Sequence, residues 1–299
     1  CARGRSEVIA GVSLVIPAFN EESAVADVVT RFRSELDATG CIYEVIVVDD
    51  GSTDETARLA KEAGASVVCS PQNLGYGLSL RRGILVAKFD YVMICDADGT
   101  YPSESVEELT SMAEHMDMVV AARTGKHFRG RGPRAIARAG LRLFASFVVG
   151  RYIPDVNSGF RIFRKSDCLR YFGILSPGFS FTTGLTLAMM SDARAVAFVP
   201  VPYAARIGKS KVRPLRDTMR IGQVLVQAMV RHNPIKLFFT ITAGIWALGL
   251  ALFVVWVVTG SVIAATAMIA VFLVGVQIFC LGLLAEALRA RGWGSLTDK

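Results

Sequence analysis

The first two thirds of the chain alternates between short apolar runs and longer segments with helical spacing of apolar residues. The apolar runs have the length of buried strands and lie at 12–17, 43–50, 65–70, 91–95 and 117–123. The helical segments lie at 21–38, 52–64, 75–88, 103–115 and 134–150, and the second one opens with a capping-box pattern at Ser52 or Thr53. This alternation predicts an α/β fold with a doubly wound parallel sheet that is covered on both faces.

The last third of the chain is apolar over two long stretches. Leu237–Val258 and Val262–Ala285 contain no charged residue, and only Thr259, Gly260 and Ser261 separate them. Each stretch exceeds the roughly 20 residues that span a hydrocarbon core, so the pattern predicts a transmembrane helical hairpin. The alternative is a buried helical pair in a soluble core. The preceding segment, 213–233, is amphipathic and is expected to lie in the membrane interface or on the catalytic domain.

Composition and charge place these elements relative to a membrane. Hydrophobic residues make up 52% of the chain and the formal net charge is +7. Arg231 and Lys236 precede the first apolar stretch, Arg289 and Arg291 follow the second, and the connecting loop is uncharged. The positive-inside rule therefore predicts a multi-pass protein of the plasma (inner) membrane with a cytoplasmic catalytic domain.

The predicted domains follow from these patterns. They are a catalytic domain, an amphipathic juxtamembrane helix, a transmembrane hairpin and a cytoplasmic tail, at 1–212, 213–234, 235–288 and 289–299. Two basic clusters, Arg123–Arg142 and Arg206–Arg220, suit phosphates on a membrane face or on nucleic acid. Their position before a hairpin favours the membrane. The six cysteines show no CxxC spacing, so neither a zinc site nor a disulfide framework is expected.

Polar residues follow three of the predicted strands at their carboxyl ends. The stretches are PAFNEE at 17–22, Asp49-Asp50, and Asp96-Ala97-Asp98. Ligands of doubly wound sheets bind at that edge, so the loops should converge there. Two carboxylates in an Asp-x-Asp pattern can share Mg²⁺ or Mn²⁺, with a substrate diphosphate completing the coordination shell. A solvated turn is the alternative for such a pair considered alone.

The motifs in their order carry a family resemblance. SLVIPAFNEE, VIVVDDGSTDET, YVMICDADGTYP, DVNSGFRIFRK and RIGKSK are followed by an amphipathic helix and a hairpin. Together they resemble GT-A glycosyltransferases of family 2, in the polyprenyl-phosphate branch that includes dolichol-phosphate-mannose-synthase-like enzymes. The resemblance covers nearly the whole chain. It implies a Rossmann-like GT-A catalytic domain, and it implies a homo-oligomer as well.

The resemblance also implies roles for individual residues. The donor site would comprise Pro17, Ala18, Phe19, Glu21, Asp50, Ala97 and Arg123, with Asp50 on the base. The metal would be held by Asp96, Asp98 and Thr100, where Thr100 stands in place of a glutamine that related enzymes often carry. Phosphates of donor and acceptor would be contacted by Arg134, Ser158, Arg206 and Lys211. Asp155 is a catalytic candidate that would orient the acceptor.

Two absences refine the predicted reaction. The chain has no QxxRW stretch, which argues against a processive polysaccharide synthase, and 178–190 contains no carboxylate to act as a base. A hydroxyl acceptor needs a base, whereas a phosphate monoester is already an anion. The sequence therefore predicts inverting transfer of a sugar from a nucleotide-diphosphate sugar to a polyprenyl phosphate, undecaprenyl or dolichyl. The alternatives are a hydroxyl acceptor on another lipid or glycan, a non-catalytic sugar-nucleotide-binding scaffold, and a nucleic-acid binder, which the hairpin disfavours.

Overall fold

The computed structural model describes residues 9–125, 128, 133–205 and 214–294, with the backbone alone at 133–134, 214–218 and 291–294. The chain forms two compact units, Cys1–Val224 and Leu225–Lys299. Seven strands and most of the helices belong to the first unit.

The described elements follow the predicted alternation. The strands are β1 Gly11–Ala18, β2 Ile42–Asp49, β3 Ser66–Cys69, β4 Tyr91–Ile94, β5 Met118–Thr124, β6 Arg161–Arg164 and β7 Val196–Pro202. The helices of the first unit are α1 Val25–Thr39, α2 Thr56–Glu62, α3 Tyr76–Val86, α4 Val106–Ala113, α5 Pro133–Val149, α6 Lys165–Arg170 and α7 Phe181–Ser191. A short 3-10 helix, Ser103–Ser105, precedes α4. Three further helices are α8 Pro214–His232, α9 Pro234–Thr259 and α10 Val262–Gly294.

The sheet is mixed, which corrects the prediction of a parallel sheet. Its strand order is β3-β2-β1-β4-β6-β5-β7. The neighbours β1–β2, β1–β4, β2–β3 and β5–β7 are parallel, whereas β6 runs antiparallel to both β4 and β5. The sequence pattern missed β6 because this strand has only four residues and begins and ends with arginine, unlike an ordinary buried strand.

Side chains of β1 alternate between two apolar layers, one on each face of the sheet. Leu14 and Ile16 pack with α1 residues such as Phe32, and Val15 packs with Leu80 of α3 on the other face. Both layers are fully shielded from solvent, so the prediction of a sheet covered on both faces is confirmed.

The start of α2 differs from the predicted capping box. Its N-cap residue is Glu55, and no side chain caps it. The Ser52 hydroxyl instead accepts a hydrogen bond from the Asn20 backbone N–H at 2.9 Å, and Thr56 Oγ1 accepts one from the Glu21 N–H at 2.8 Å. These hydroxyls therefore join two loops at the sheet edge, and the capping-box prediction was wrong.

The second unit contains two helices that are long and apolar enough to cross a membrane, at Pro234–Thr259 and Val262–Ala290. Asn233 caps the first of them, accepting a hydrogen bond from the Lys236 N–H at 3.1 Å. The helices pack closely where Trp246 stacks on Phe272 with ring centroids 5.9 Å apart. A Cβ at Gly275 would lie 2.2 Å from Trp246 Nε1, so the glycine makes this approach possible.

Candidate active site

The three polar loops lie at one edge of the sheet, as the sequence predicts. β1 and β2 are in parallel register with Ala18 opposite Asp49, and β4 runs beside β1 in the same direction. Their carboxyl ends therefore meet. The chain leaves β1 toward β2 on one side and reaches β4 on the other, which makes this edge a topological switch point, the usual location of ligand sites in such sheets.

The first loop holds the predicted donor residues on a braced backbone. Pro17 and Ala18 are buried at the end of β1, Phe19 is half-buried and Glu21 is buried. Asn20 has a positive φ of 50° and its side-chain oxygen accepts a hydrogen bond from the Thr53 N–H at 2.8 Å. The loop is thus tied to the segment after β2, and contact with a nucleoside stays a prediction.

Asp50 supports the loop before α3. Its two carboxylate oxygens accept hydrogen bonds from the backbone N–H groups of Leu74 and Gly75 at 2.9 and 2.8 Å. The carboxylate is buried, so these bonds satisfy groups that would otherwise be costly to desolvate. Asp50 therefore shapes the site, and its predicted bond to the base stays a prediction.

Asp96 and Asp98 follow β4 and are oriented by neighbouring hydroxyl groups. Tyr76, at the start of α3, donates a hydrogen bond to Asp96 Oδ1 at 2.8 Å. Asp98 is buried and its Oδ1 accepts from the Thr100 hydroxyl at 2.6 Å and from the Thr100 N–H at 3.2 Å. Burial, and next the charge of Asp96, raise the pKa of Tyr76 well above its usual value, so the phenol keeps the proton it donates.

The oxygen donors at this position suit a hard divalent cation. Two carboxylates on one loop are the ligands that Mg²⁺ and Mn²⁺ prefer when a substrate supplies further oxygens. Among the described residues no group of three or more His, Cys, Asp or Glu side chains is placed to hold a metal. Ala97, between the two carboxylates, is buried, and the Thr100 hydroxyl is engaged with Asp98. Direct coordination by Thr100 stays a prediction.

Asp155, which is buried, forms an ion pair with Arg123, which is half-buried. Arg123 Nε donates to Asp155 Oδ2 at 2.7 Å and Nη2 donates to Oδ1 at 3.0 Å. The guanidinium also lies over the rings of Phe128 and Tyr203, at 4.9 and 5.3 Å from their centroids. Burial opposes the charge of Asp155, but Arg123 outweighs it and holds the pKa below the usual range. A carboxylate of this kind is a weak base, and here it holds Arg123. Its predicted role in orienting the acceptor stays a prediction.

The remaining predicted phosphate-binding residues are placed unequally. Ser158 is fully buried and its hydroxyl donates to the Ala121 carbonyl at 2.6 Å, which ties the segment before β6 to β5. Arg134 lies in the first turn of α5, where only the backbone is described. Arg206 and Lys211 lie outside the described residues. Their contacts with phosphate stay predictions.

Three functional-site residues were missed by sequence reasoning. They are Tyr76, Tyr101 and Arg161, whose side chains bind Asp96, the Gly159 backbone and the Ser158 carbonyl, respectively. Tyr101 lies in the quoted DADGTYP stretch and Arg161 in NSGFRIF, but a tyrosine or an arginine in such a run does not indicate its partner. No local pattern signals these contacts, because each joins segments that are distant in the chain or depends on how they pack.

The first unit has a mixed sheet with an Asp-x-Asp pair at its topological switch point, and an apolar helical hairpin follows it in the chain. This combination is typical of membrane-attached glycosyltransferases with the GT-A fold. The model of the family described as Glycosyl transferase family 2 matches residues 13–172, and that described as the GtrB C-terminal hairpin matches 233–290. The chain belongs to glycosyl transferase family 2, and it is a glycosyltransferase.

Relatives match over most of the chain. Glycosyltransferase AglJ of Haloferax volcanii is 31% identical and the match covers 92% of each chain. A dolichyl-phosphate hexose transferase of the same organism is 29% identical over 74% of this chain and 95% of its own. Undecaprenyl-phosphate 4-deoxy-4-formamido-L-arabinose transferase of an Enterobacter strain is 28% identical over 94% of this chain and 88% of its own.

Solved structures confirm the fold. Glucosyl-3-phosphoglycerate synthase from Mycobacterium tuberculosis, in complex with Mn²⁺, uridine diphosphate and phosphoglyceric acid, aligns with a TM-score of 0.59 and 23% identity. The alignment covers 75% of this chain and 80% of that one. At this identity the similarity supports the GT-A fold alone.

Proposed function

We propose that the protein transfers a sugar from a nucleotide-diphosphate sugar to a polyprenyl phosphate, with inversion, at the cytoplasmic face of the plasma membrane. The observation that carries the proposal is the combination, in one chain, of an oriented Asp96–Asp98 pair at the sheet edge and a hairpin of two membrane-length helices. Relatives named for dolichyl-phosphate and undecaprenyl-phosphate substrates support the acceptor.

Asp96 and Asp98 would hold Mg²⁺ or Mn²⁺. The ion, when bound, neutralises the charge that develops on the leaving diphosphate. The two loops that the Asn20–Thr53 hydrogen bond joins would bind the nucleoside. Asp50 would fix the neighbouring loop before α3. Arg123 uses Nε and Nη2 on Asp155, and we propose that its Nη1 donates to a donor phosphate.

The acceptor needs no base in this mechanism. A phosphate oxygen of the lipid forms a bond to the anomeric carbon as the bond from that carbon to the diphosphate breaks, and the nucleoside diphosphate leaves. The first turn of α7 carries two threonine hydroxyls, which donate to Asn157, and it has no carboxylate that could act as a base. Asp155 is engaged with Arg123. Both features favour an acceptor that arrives already ionised.

Exposed apolar side chains on the catalytic domain support a position beside a bilayer. Ile136 and Leu143 of α5 are 75% and 73% exposed, and Arg138 and Arg142 lie on the same helix. Such a mixed surface suits the membrane interface, where the apolar residues enter the acyl boundary and arginines meet anionic headgroups. We propose two membrane passes from the two membrane-length helices, and a cytoplasmic catalytic domain from the basic residues that flank them. A homo-oligomer is proposed from the family resemblance alone.

The deciding experiment incubates the protein with a panel of labelled sugar nucleotides and polyprenyl phosphate, followed by lipid extraction. We expect a labelled lipid that mild acid hydrolyses, with release of nucleoside diphosphate. Polyprenol without phosphate is the matched acceptor control and should stay unlabelled. Asp98→Asn and addition of EDTA should each lower turnover by several orders of magnitude. An acid-stable glycoside or a lipid diphosphate sugar would show that a different acceptor is used.

A further inference from the structure

The Asp96 carboxylate is confined between two chain segments. On one side Tyr76 donates its hydroxyl to Oδ1 at 2.8 Å. On the other side lies Gly159, where a Cβ would stand 2.3 Å from Oδ2 and 2.4 Å from Oδ1. No real Cβ tolerates such distances, so the carboxylate occupies the space that a side chain at 159 would fill. The Gly159 backbone therefore lies directly against the Asp96 carboxylate and limits where it can lie.

Arg161 holds that backbone in place. Its Nε donates to the Ser158 carbonyl at 3.1 Å, and its Nη2 donates to the same oxygen. Its Nη1 donates to Thr186 Oγ1 at 2.8 Å and to the Thr182 carbonyl at 3.1 Å, both on α7. The guanidinium of Arg161 thus joins the segment beside Asp96 to α7.

The environment of Arg161 is unusual for a residue that only packs. The side chain is 0% exposed, and its hydrogen bonds run to carbonyls, a hydroxyl and the Met118 sulfur, with no carboxylate among its partners in the described part of the chain. Burying a charge among neutral acceptors is unfavourable compared with an apolar side chain of similar volume. A requirement for its fork of donors explains why an arginine occupies this position.

We propose that Arg161 is a positioning residue for Asp96 and acts through the Ser158–Gly159 turn to fix the carboxylate that binds the divalent cation. The inference rests on the proposed function in one respect, because it requires Asp96 to be a metal ligand. Outer partners that orient metal ligands typically contribute about 10- to 100-fold to metal affinity.

The test measures Mn²⁺ binding by electron paramagnetic resonance on the full-length protein in detergent, with uridine diphosphate or guanosine diphosphate present to supply the remaining oxygen ligands. Gly159→Ala leaves the hydrogen bonds of Arg161 intact and displaces Asp96, so Mn²⁺ affinity should fall about 10-fold or more. Gly173→Ala is the matched control, because a Cβ there meets nothing within 4 Å, and it should bind Mn²⁺ as the wild type does.

Arg161→Lys and Arg161→Gln should weaken Mn²⁺ affinity by about 10-fold or more, because neither can reach Ser158 and Thr186 together. Thr186→Val keeps the charge of Arg161 and removes one acceptor of its hydrogen bonds, so it should give a smaller loss of Mn²⁺ affinity. This variant tests the proposal if the Arg161 variants do not fold. Thermal unfolding of the same samples separates the roles, because a purely structural residue would lower the melting temperature and leave Mn²⁺ affinity unchanged.

Wild-type Mn²⁺ affinity in folded Gly159→Ala, or in the folded Arg161 and Thr186 variants, would overturn the proposal. Full rescue by Arg161→Lys would overturn it as well, since charge alone would then suffice. If the wild type makes the lipid product and binds Mn²⁺ while the variants bind it equally well, only this inference fails. If the wild type makes the product without binding Mn²⁺, the metal and this inference both fail, and the acceptor assignment stands.

Discussion

Arg123, which is half-buried, and Arg161, which is buried, lie on adjacent antiparallel strands, and their surroundings shift their pKa values in opposite directions. Burial lowers the pKa of Arg161 to about 10, and its interactions with Tyr76 and Asp155 offset only part of this effect. Burial also opposes the charge of Arg123, but Tyr101 and Asp155 more than compensate, so its pKa lies well above the usual value. The difference is a carboxylate in direct contact, which only Arg123 has.

The comparison shows two ways to use a buried guanidinium. Arg123 neutralises Asp155 and lies over the rings of Phe128 and Tyr203, so its contribution to stability is mainly electrostatic. Arg161 directs its donors to backbone carbonyls and a hydroxyl, so its contribution lies in geometry. Replacing Arg123 should therefore leave the charge of Asp155 buried without a partner. Replacing Arg161 should leave neutral acceptors without their donors.

The largest effect on stability is expected for Arg123→Met. Asp155 would remain buried without its counter-charge, and removing one partner of such a pair lowers the free energy of unfolding by about 3–5 kcal/mol. Urea denaturation monitored on the catalytic unit of the full chain measures this. The double variant Arg123→Met with Asp155→Asn should lose less than the sum of the single variants. Additive losses would mean that the two residues do not interact.

A smaller loss is expected for Arg161→Gln. The substitution leaves the Ser158 carbonyl or the Thr186 hydroxyl without its donor, and such unsatisfied neutral groups lower the free energy of unfolding by about 1–3 kcal/mol. The same denaturation measurement compares it directly with Arg123→Met. If Arg161→Gln proves as destabilising as Arg123→Met, the positive charge of Arg161 itself stabilises the fold, beyond what its hydrogen bonds to neutral groups contribute.

The Arg123–Asp155 pair also predicts a pH dependence. The folded-state pKa of Asp155 lies below its ordinary value of 3.8, so its stabilisation is present above pH 3.8 and is lost as pH falls through the lowered folded-state value. The difference in unfolding free energy between wild type and Asp155→Asn should be largest near neutral pH and should shrink below pH 3.8. A difference that is constant from pH 7 to acid would contradict the ionic character of the pair.

The smallest effect is expected for a surface arginine. Arg31 pairs with Asp27 one helical turn away at 2.8 Å, and the two side chains are 35% and 58% exposed, respectively. Because water screens the pair, Arg31→Ala should change the free energy of unfolding by only about 0.3–0.5 kcal/mol. A loss as large as that of Arg161→Gln would show that burial is not what separates these arginines.

Much of the fold and part of the site were predictable from the sequence. Five of the seven strands in the described part of the chain, and the membrane-length helices, were found because apolar periodicity and length are local properties. The carboxylates of Asp50, Asp96 and Asp98 were placed at strand ends for the same reason. Sequence reasoning missed β6 and β7, since a four-residue strand with arginine at both ends and a strand containing two prolines lack the pattern of a buried strand.

The partners of these residues were decided by tertiary structure. Asp155 pairs with Arg123, which lies 32 residues away in the chain. Tyr76 reaches Asp96 across 20 residues, and Arg161 reaches Thr186 across 25. The sequence by itself determined which segments form strands, helices and membrane spans, because backbone preference and hydrophobic burial act over neighbouring residues. Which donor meets which carboxylate depends on how those segments pack, since hydrogen bonds form only at contact distance and the mixed sheet brings distant residues to it.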